Sequence, residues 1–375
     1  MVILREKLSN TTRKVDTDAG EAAKERRRQR YRLQEGAAEL RVEERRLRAC
    51  CKVIPWHRER LAIKETAEGE ARYAGLVRCG SWVQCPICAS GICAARAIEL
   101  SLGVATWLAT GGSVWLLTLT ARHGRNDDLR AWLCAFTAAE KRMKQGRIWR
   151  RLREDDVLAG TVRALEVTHG FQAGWHPHVH LMLFCCALAP EMLLIRLSFL
   201  ETAWRQALAC EGLDCADVGF DLRPGEAAAA YVNKWGLAQE MTLGHTVKGG
   251  RGENRTPWGL LFDYVETSDR YAGALFCLFA EVFKGRRQLF WSHRLKSRLG
   301  LAPAPPDEGC GDDLDATIAE LERREWGAVV AARMRAQLLE VAARGGAVAV
   351  AAFVGDLLDQ RRALALSRGK EPDAR

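Results

Sequence analysis

Long apolar runs are missing from this sequence. The longest, residues 347–354, falls well short of the roughly 20 residues that cross a bilayer as a helix. A secretion leader is not expected either: Met1 to Leu8 is short, and a charged stretch follows it rather than an apolar core. These absences predict a cytoplasmic protein with no membrane partner. In such a compartment the 13 cysteines are not expected to form disulfides. Some should bind metal and the rest should behave as small buried hydrophobes. No internal repeat is visible.

What is present is an ordinary globular composition over 375 residues, 48% hydrophobic and 27% charged, enough for one large or two average domains. The formal net charge is +9 and the isoelectric point near 9.0, which favours a polyanionic partner such as nucleic acid. Residues 1–48 are polar and basic, and read as a solvated arm or exposed helix, or as an arm that follows DNA phosphates. A cysteine-rich segment occupies residues 49–96. Within residues 97–299, the stretches 114–120, 162–168 and 179–184 read as strands, while 98–108, 129–149 and 190–210 read as helices. The Pro-rich stretch in residues 300–312 marks a linker. Residues 313–343 and 348–366 read as two helices split by Gly345 and Gly346, so 313–375 is expected to be a helical C-terminal region.

The most informative stretch is Trp175-His176-Pro177-His178-Val179-His180. On a strand His178 and His180 share one face, with Val179, Leu181 and Leu183 on the other. Two imidazoles fixed side by side form half of a metal site; the plainer alternative is a pair of histidines with ordinary hydrogen bonds. His176 is left out, because Pro177 is expected to interrupt the start of the strand. A hairpin centred near Phe171 and Gln172 places Glu166 opposite His178. That would complete a two-histidine, one-carboxylate set for a divalent ion with open positions for phosphate oxygens. A slip of one residue would turn Glu166 to the other face.

Residues 224–236 (PGEAAAAYVNKWG) predict a helix with Pro in its first turn and a closing Gly. Tyr231 and Lys234, three apart, lie on one face. A phenol needs activation to act as a nucleophile, and Lys234 could stabilise either the phenolate or charge growing on a phosphate. Most pairs at this spacing are surface contacts. Upstream, Cys79, Cys85 and Cys88 have the spacing of a structural zinc knuckle, with Cys51 taken as the fourth ligand and Cys50 or Cys93 as alternatives. A redox CxxC is disfavoured, since no thioredoxin-like βαβ pattern surrounds it.

In order, residues 116–120 (LLTLT), 174–180 (GWHPHVH) and 231–234 (YVNK) resemble the three motifs of the HUH endonucleases, and within them the rolling-circle replication initiator (Rep) proteins of small plasmids. The stretches 79–88, 255–260 and 285–289 are also similar to such Rep proteins. The resemblance covers about residues 50–299. It implies an α+β nicking domain with a central antiparallel sheet flanked by helices, beside a small zinc-binding segment and a helical tail. It further implies Mg²⁺ or Mn²⁺ held by the histidines, attack of Tyr231 on phosphorus, a 5′-phosphotyrosine link and a free 3′-OH. One tyrosine in the motif implies that ending a round needs a water base, for which Glu226 is a poorly aligned candidate, or a second protomer.

Origin DNA in single-stranded form is the expected partner, with a host helicase, the replication machinery and a dimer as further possibilities. Candidate DNA contacts are Lys248, Arg251 and Arg255 in a basic loop, and Arg286 and Arg287 in a stretch where Phe290 or Trp291 could stack on a base. That stretch reads equally well as an amphipathic helix. The rival readings are a transposase using the same chemistry and a zinc-containing DNA-binding protein without catalysis.

Overall fold

The computed structural model describes residues 2–66, 69–225, 254–301 and 315–367, with side chains from residue 20 onward. The described residues divide into two compact units. One draws on residues 1–81, 85–88 and 305–375, the other on 82–84 and 89–304. The boundary at 304/305 falls within the expected linker, while the expected cysteine-rich segment is shared between the units and the two ends of the chain lie in the same one.

In the first unit, β1 (Arg60–Glu65) pairs antiparallel with β2 (Ala71–Ala74) on one side and with β8 (Ala316–Glu322) on the other. Leu61 and Ile63 alternate inward from β1 and meet Tyr73 and Leu321 in the core. Helix α1 (Val2–Leu40) buries Leu33, Gln34, Ala37 and Ala38, so the expected helix is there and its last turns pack into the core rather than standing in solvent. The short α2 (Arg45–Ala49) follows it.

Residues 316–322 form a strand where the sequence predicts helix. Ala, Leu and Glu favour helix locally, yet pairing with β1 satisfies the backbone and buries Leu321, and that non-local gain prevails. Helix follows in α10 (Arg323–Ala331) and α11 (Arg335–Ser367), the latter broken at Gly346 (φ 60°, ψ −155°), where the glycine pair was expected to split it.

The second unit is built on a five-stranded antiparallel sheet of order β6-β3-β5-β4-β7. Its strands are β3 (Ser113–Leu119), β4 (Leu158–Gly170), β5 (Gly174–Cys185), β6 (Phe220–Arg223) and β7 (Leu289–Trp291). One face carries Val114, Leu116, Val162, Ala164, Met182 and Phe184, packed under Ala97, Leu100, Val104 and Trp107 of α3 (Pro86–Ala109). The approach is close at Gly103, where a Cβ would lie 2.7 Å from the Trp291 ring. Against the other face lies α4 (Leu129–Gln145), whose Glu140 reaches Arg163 of β4; α5 (Arg147–Glu154) and α6 (Pro190–Cys210) pack beside it. Helices α7 (Pro257–Thr267) and α8 (Arg270–Phe283) precede β7, and the short α9 (Leu295–Arg298) follows it.

The stretch 283–299 is therefore turns, the strand β7 and the short helix α9, not one amphipathic helix. Trp291 packs on the core cluster, whereas Phe290 is exposed. Among the described residues two helices, α3 and α11, are long and apolar enough to cross a membrane by length and composition, which the sequence reading did not anticipate. Ala97, Leu100, Val104 and Trp107 of α3 pack on the sheet, and α11 is broken at Gly346.

Candidate metal centres

The long β4–β5 hairpin sets the first centre. Its register pairs Gly170 with Gly174, Glu166 with His178 and Leu165 with Val179, as the hairpin centre at Gln172 predicts. Gly174 takes φ +78°, and a Cβ there would sit 2.8 Å from the Arg125 carbonyl oxygen, so only glycine fits this start of β5. On the face that α3 covers further along, Glu166, His178 and His180 converge. Glu166 Oε2 lies 3.2 Å from His178 Nε2 and 3.7 Å from His180 Nε2. All three side chains are less than one-fifth exposed.

The atoms around each ring decide what the trio can hold. To accept a cation, each Nε2 must present a lone pair, and each ring then needs a partner for the proton on Nδ1. His180 Nδ1 has Thr118 Oγ1 at 2.9 Å, across the β3–β5 register that pairs Thr118 with His180. His178 Nδ1 has the His176 carbonyl oxygen at 3.4 Å. Burial pushes the Glu166 carboxyl up, but hydrogen bonds from His178 and His180 outweigh it and hold the group well below the usual carboxylate range. An octahedral ion with bonds of about 2.1 Å separates neighbouring donors by roughly 3 Å, and the spacing of this trio fits. The mixed nitrogen and oxygen set suits Mn²⁺ better than Mg²⁺, which prefers oxygen alone.

His176 shares the face of the other two histidines, contrary to the expectation that Pro177 interrupts the strand. β3 pairs with β5 only as far as Val179, so Pro177 sits where β5 is paired on its β4 side alone and its missing N–H is tolerated. His176 Nδ1 lies 2.7 Å from His123 Nε2, and His123 Nδ1 lies 3.0 Å from the Ala173 carbonyl oxygen. Donation from His123 Nδ1 to Ala173 makes its Nε2 an acceptor, so His176 donates from Nδ1 and turns a bare Nε2 outward. Burial, with His178 and His123 nearby, pushes His176 down to about 4, so it is neutral at physiological pH.

The second centre lies in the first unit. The sulfur atoms of Cys50, Cys79, Cys85 and Cys88 all lie within 4.8 Å of one another. Cys50 Sγ is 3.7 Å from Cys85 Sγ and 3.5 Å from Cys88 Sγ, and Cys79 Sγ is 3.6 Å from Cys88 Sγ. The structure thus gathers Cys79, Cys85 and Cys88 as the spacing predicts, but with Cys50 in place of Cys51. Cys50 caps the end of α2, while Cys51 takes φ 53° and its sulfur accepts from the Arg78 guanidinium at 2.9 Å. Hydrogen bonds from Cys51, Cys79, Cys85 and Cys88 hold the Cys50 thiol far below its ordinary range, whereas burial pushes Cys85 well up. Cys93 lies apart, with its thiol toward Gln288 Oε1.

Tyr231, Lys234, Glu226, Lys248 and Arg251 lie outside the described residues. Among the other expected DNA contacts, Arg255 is tied to Asp263 at 3.1 Å and bridges His169 through its backbone. Arg286 donates to the Val282 carbonyl oxygen, while Arg287 is exposed and lies over the Phe290 ring. The sequence gives no role to Thr118 or His123, sets His176 aside and offers Cys50 only as an alternative to Cys51. Thr118 sits inside the LLTLT motif, and pairing that strand with the histidine strand would have revealed it; His123 has no local signal.

An antiparallel sheet bearing a half-buried His–His–Glu trio, with a four-cysteine cluster elsewhere in the chain, defines an α+β protein with two candidate metal centres. Residues 77–218, which hold the trio and three of the four cysteines, match the Rep_1 family, described as Replication protein. A relative named Protein rep, from Streptomyces lividans, is 35% identical over 144 residues, covering 32% of this chain and 32% of the relative. Another, named Neomycin resistance protein, from Streptomyces cyanogenus, is 33% identical over 139 residues, covering 31% and 32%. The chain spans about a third of the length of the curated relatives it matches. No solved structure matches it.

Proposed function

We propose that this protein initiates plasmid replication by cutting one strand at an origin, as a metal-dependent tyrosine endonuclease that can also rejoin the ends. The observation that carries this reading is the convergence of Glu166, His178 and His180 on adjacent strands within the segment that matches the replication protein family. These three residues would hold Mn²⁺ or Mg²⁺. Bound there, the ion supplies positive charge against the phosphate oxygens.

The chain's own residues do the rest. Thr118 and the His176 carbonyl oxygen take the Nδ1 protons and aim both Nε2 lone pairs inward. Tyr231 is the nucleophile by its place in the sequence motif. Its phenolate oxygen forms a bond to phosphorus as the bond from phosphorus to the 3′ oxygen breaks, giving a 5′-phosphotyrosine and, after proton uptake, a 3′-OH that primes synthesis. Lys234 offsets the charge on the phenolate or phosphate. Rejoining is the reverse attack by a 3′-OH on the phosphotyrosine. Origin DNA is the partner, and Arg287 with Phe290 offers a cation and an aromatic face for an unpaired strand.

The test is incubation with single-stranded oligonucleotides tiling the DNA around the gene, with Mn²⁺, followed by peptide mass spectrometry. A nucleotide adduct on Tyr231 that disappears in Tyr231→Phe is expected. Undiminished cleavage in that variant would remove Tyr231 from the mechanism, and no cleavage of any oligonucleotide by the unaltered protein would remove the nicking reading.

A further inference from the structure

Four thiols packed sulfur to sulfur in a buried site call for an explanation. They are not disulfides, which need about 2.05 Å between sulfurs, against 3.5 to 3.7 Å here. A tetrahedron of thiolates about 2.3 Å from its centre has edges of about 3.8 Å. Three of its edges, at 3.5 to 3.7 Å, match that figure, all four sulfurs lie within 4.8 Å of one another, and every corner is occupied by sulfur.

Backbone donors add to the case. The Cys79 N–H points at Cys50 Sγ (3.4 Å) and the Cys88 N–H at Cys85 Sγ (3.5 Å), the kind of support that thiolate ligands receive. The Arg78 guanidinium stands beside the cluster through Cys51, where its charge offsets that of a tetrathiolate.

We propose that Cys50, Cys79, Cys85 and Cys88 bind one zinc ion as a closed structural site, and that this ion fixes the joint between the two ends of the chain. The joint is built on the ligand loop itself. Gln34 of α1 donates to the Cys50 carbonyl oxygen at 2.6 Å. Arg335 of α11 donates to the Cys51 carbonyl oxygen at 3.0 Å and to Gln34 Oε1 at 2.7 Å. A shift of Cys50 out of the tetrahedron therefore moves two adjacent acceptors, the Cys50 carbonyl that holds Gln34 of α1 and the Cys51 carbonyl that holds Arg335 of α11. With all four positions filled by protein, the site has no opening for substrate, so its role is to hold structure. It stands independently of strand cleavage by Tyr231.

The experiment is metal analysis of the full-length chain, purified without chelator, alongside Cys50→Ser, Cys51→Ser and a Cys134→Ser control. One zinc ion per chain is expected in the unaltered protein, the control and Cys51→Ser, with retention at least about tenfold weaker in Cys50→Ser. Exchange for Co²⁺ should give the charge-transfer and ligand-field bands of a tetrahedral tetrathiolate. Limited proteolysis after zinc removal should open residues 20–40 and 335–357 while residues 113–185 stay protected. If Cys50→Ser fails to fold, the cobalt spectrum of the unaltered protein together with zinc retention in Cys51→Ser decides. A chain that carries no zinc and gives no thiolate–cobalt bands, or one that loses zinc in Cys51→Ser but not in Cys50→Ser, overturns the proposal.

Discussion

Thr118 shows how much a single hydroxyl can govern. It touches no expected ligand atom directly, yet it is the Nδ1 partner of His180 and so sets which nitrogen faces Glu166. Replacement by valine keeps the shape and removes the acceptor. Thr118→Val should weaken Mn²⁺ binding by about 10- to 100-fold, the usual effect of losing such an outer partner, with little change in melting temperature. Titration calorimetry with Mn²⁺ checks this, and unchanged affinity would detach Thr118 from the site. Glu140, on the opposite face, is a stability device instead. Burial raises its pKa, but Lys144 and Arg163 outweigh that and leave it below the ordinary value of 4.5. A carboxylate with a depressed folded pKa stabilises fully above its unfolded value and loses that stabilisation as pH falls through the folded one. Glu140→Gln should therefore cost about 3 kcal/mol at neutral pH, by leaving two cations buried beside a neutral amide. The gap between variant and unaltered protein should close as pH drops below 4.5, which denaturant titrations at several pH values would read.

At the scale of elements, the β4–β5 hairpin was the most legible part of the sequence. Its two strands alternate cleanly, and the hairpin geometry alone placed Glu166 against His178. Local signals of this kind carry their own register. The strand reading of 114–120 was sound for the same reason, since β-branched and aromatic residues fill β3. Legibility failed where pairing is distant. Nothing local marks residues 316–322 as a strand, because the partner that makes them one is β1, near the other end of the chain. Cys50 and Cys51 likewise cannot be told apart by spacing; the left-handed turn at Cys51 separates them, and only the packed backbone shows it. His176 was set aside on a sound rule about proline, whose exception depends on where β3 stops pairing.

Over the whole molecule, the chain's two ends meet at Arg335. Its guanidinium is 1% exposed, paired with Glu35, hydrogen-bonded to Gln34 and the Cys51 carbonyl oxygen, and laid over the Tyr31 ring. Arg335→Met should destabilise the first unit by about 3 kcal/mol, since it leaves Glu35 with Lys52 alone and takes the buried donor from Gln34 Oε1 and the Cys51 carbonyl oxygen. A loss of hydrogen-exchange protection in residues 20–40, with the β3–β5 amides unaffected, is the expected signature. Protection lost equally in β3–β5 would mean that the units do not respond separately.

The pairing of β1 with β8 also has a bearing on how the protein is born. Arg60 and Glu322 stand 262 positions apart, so the three-stranded sheet cannot close until the ribosome has delivered β8. The β4–β5 hairpin has no such wait, as its strands emerge within a few dozen residues of each other. A message cut short before β8 would thus yield a polypeptide able to form the histidine-bearing sheet while β1 and β2 remain one partner short. Synthesis order makes the sheet with the His–His–Glu trio the early product and the junction of the two ends the late one.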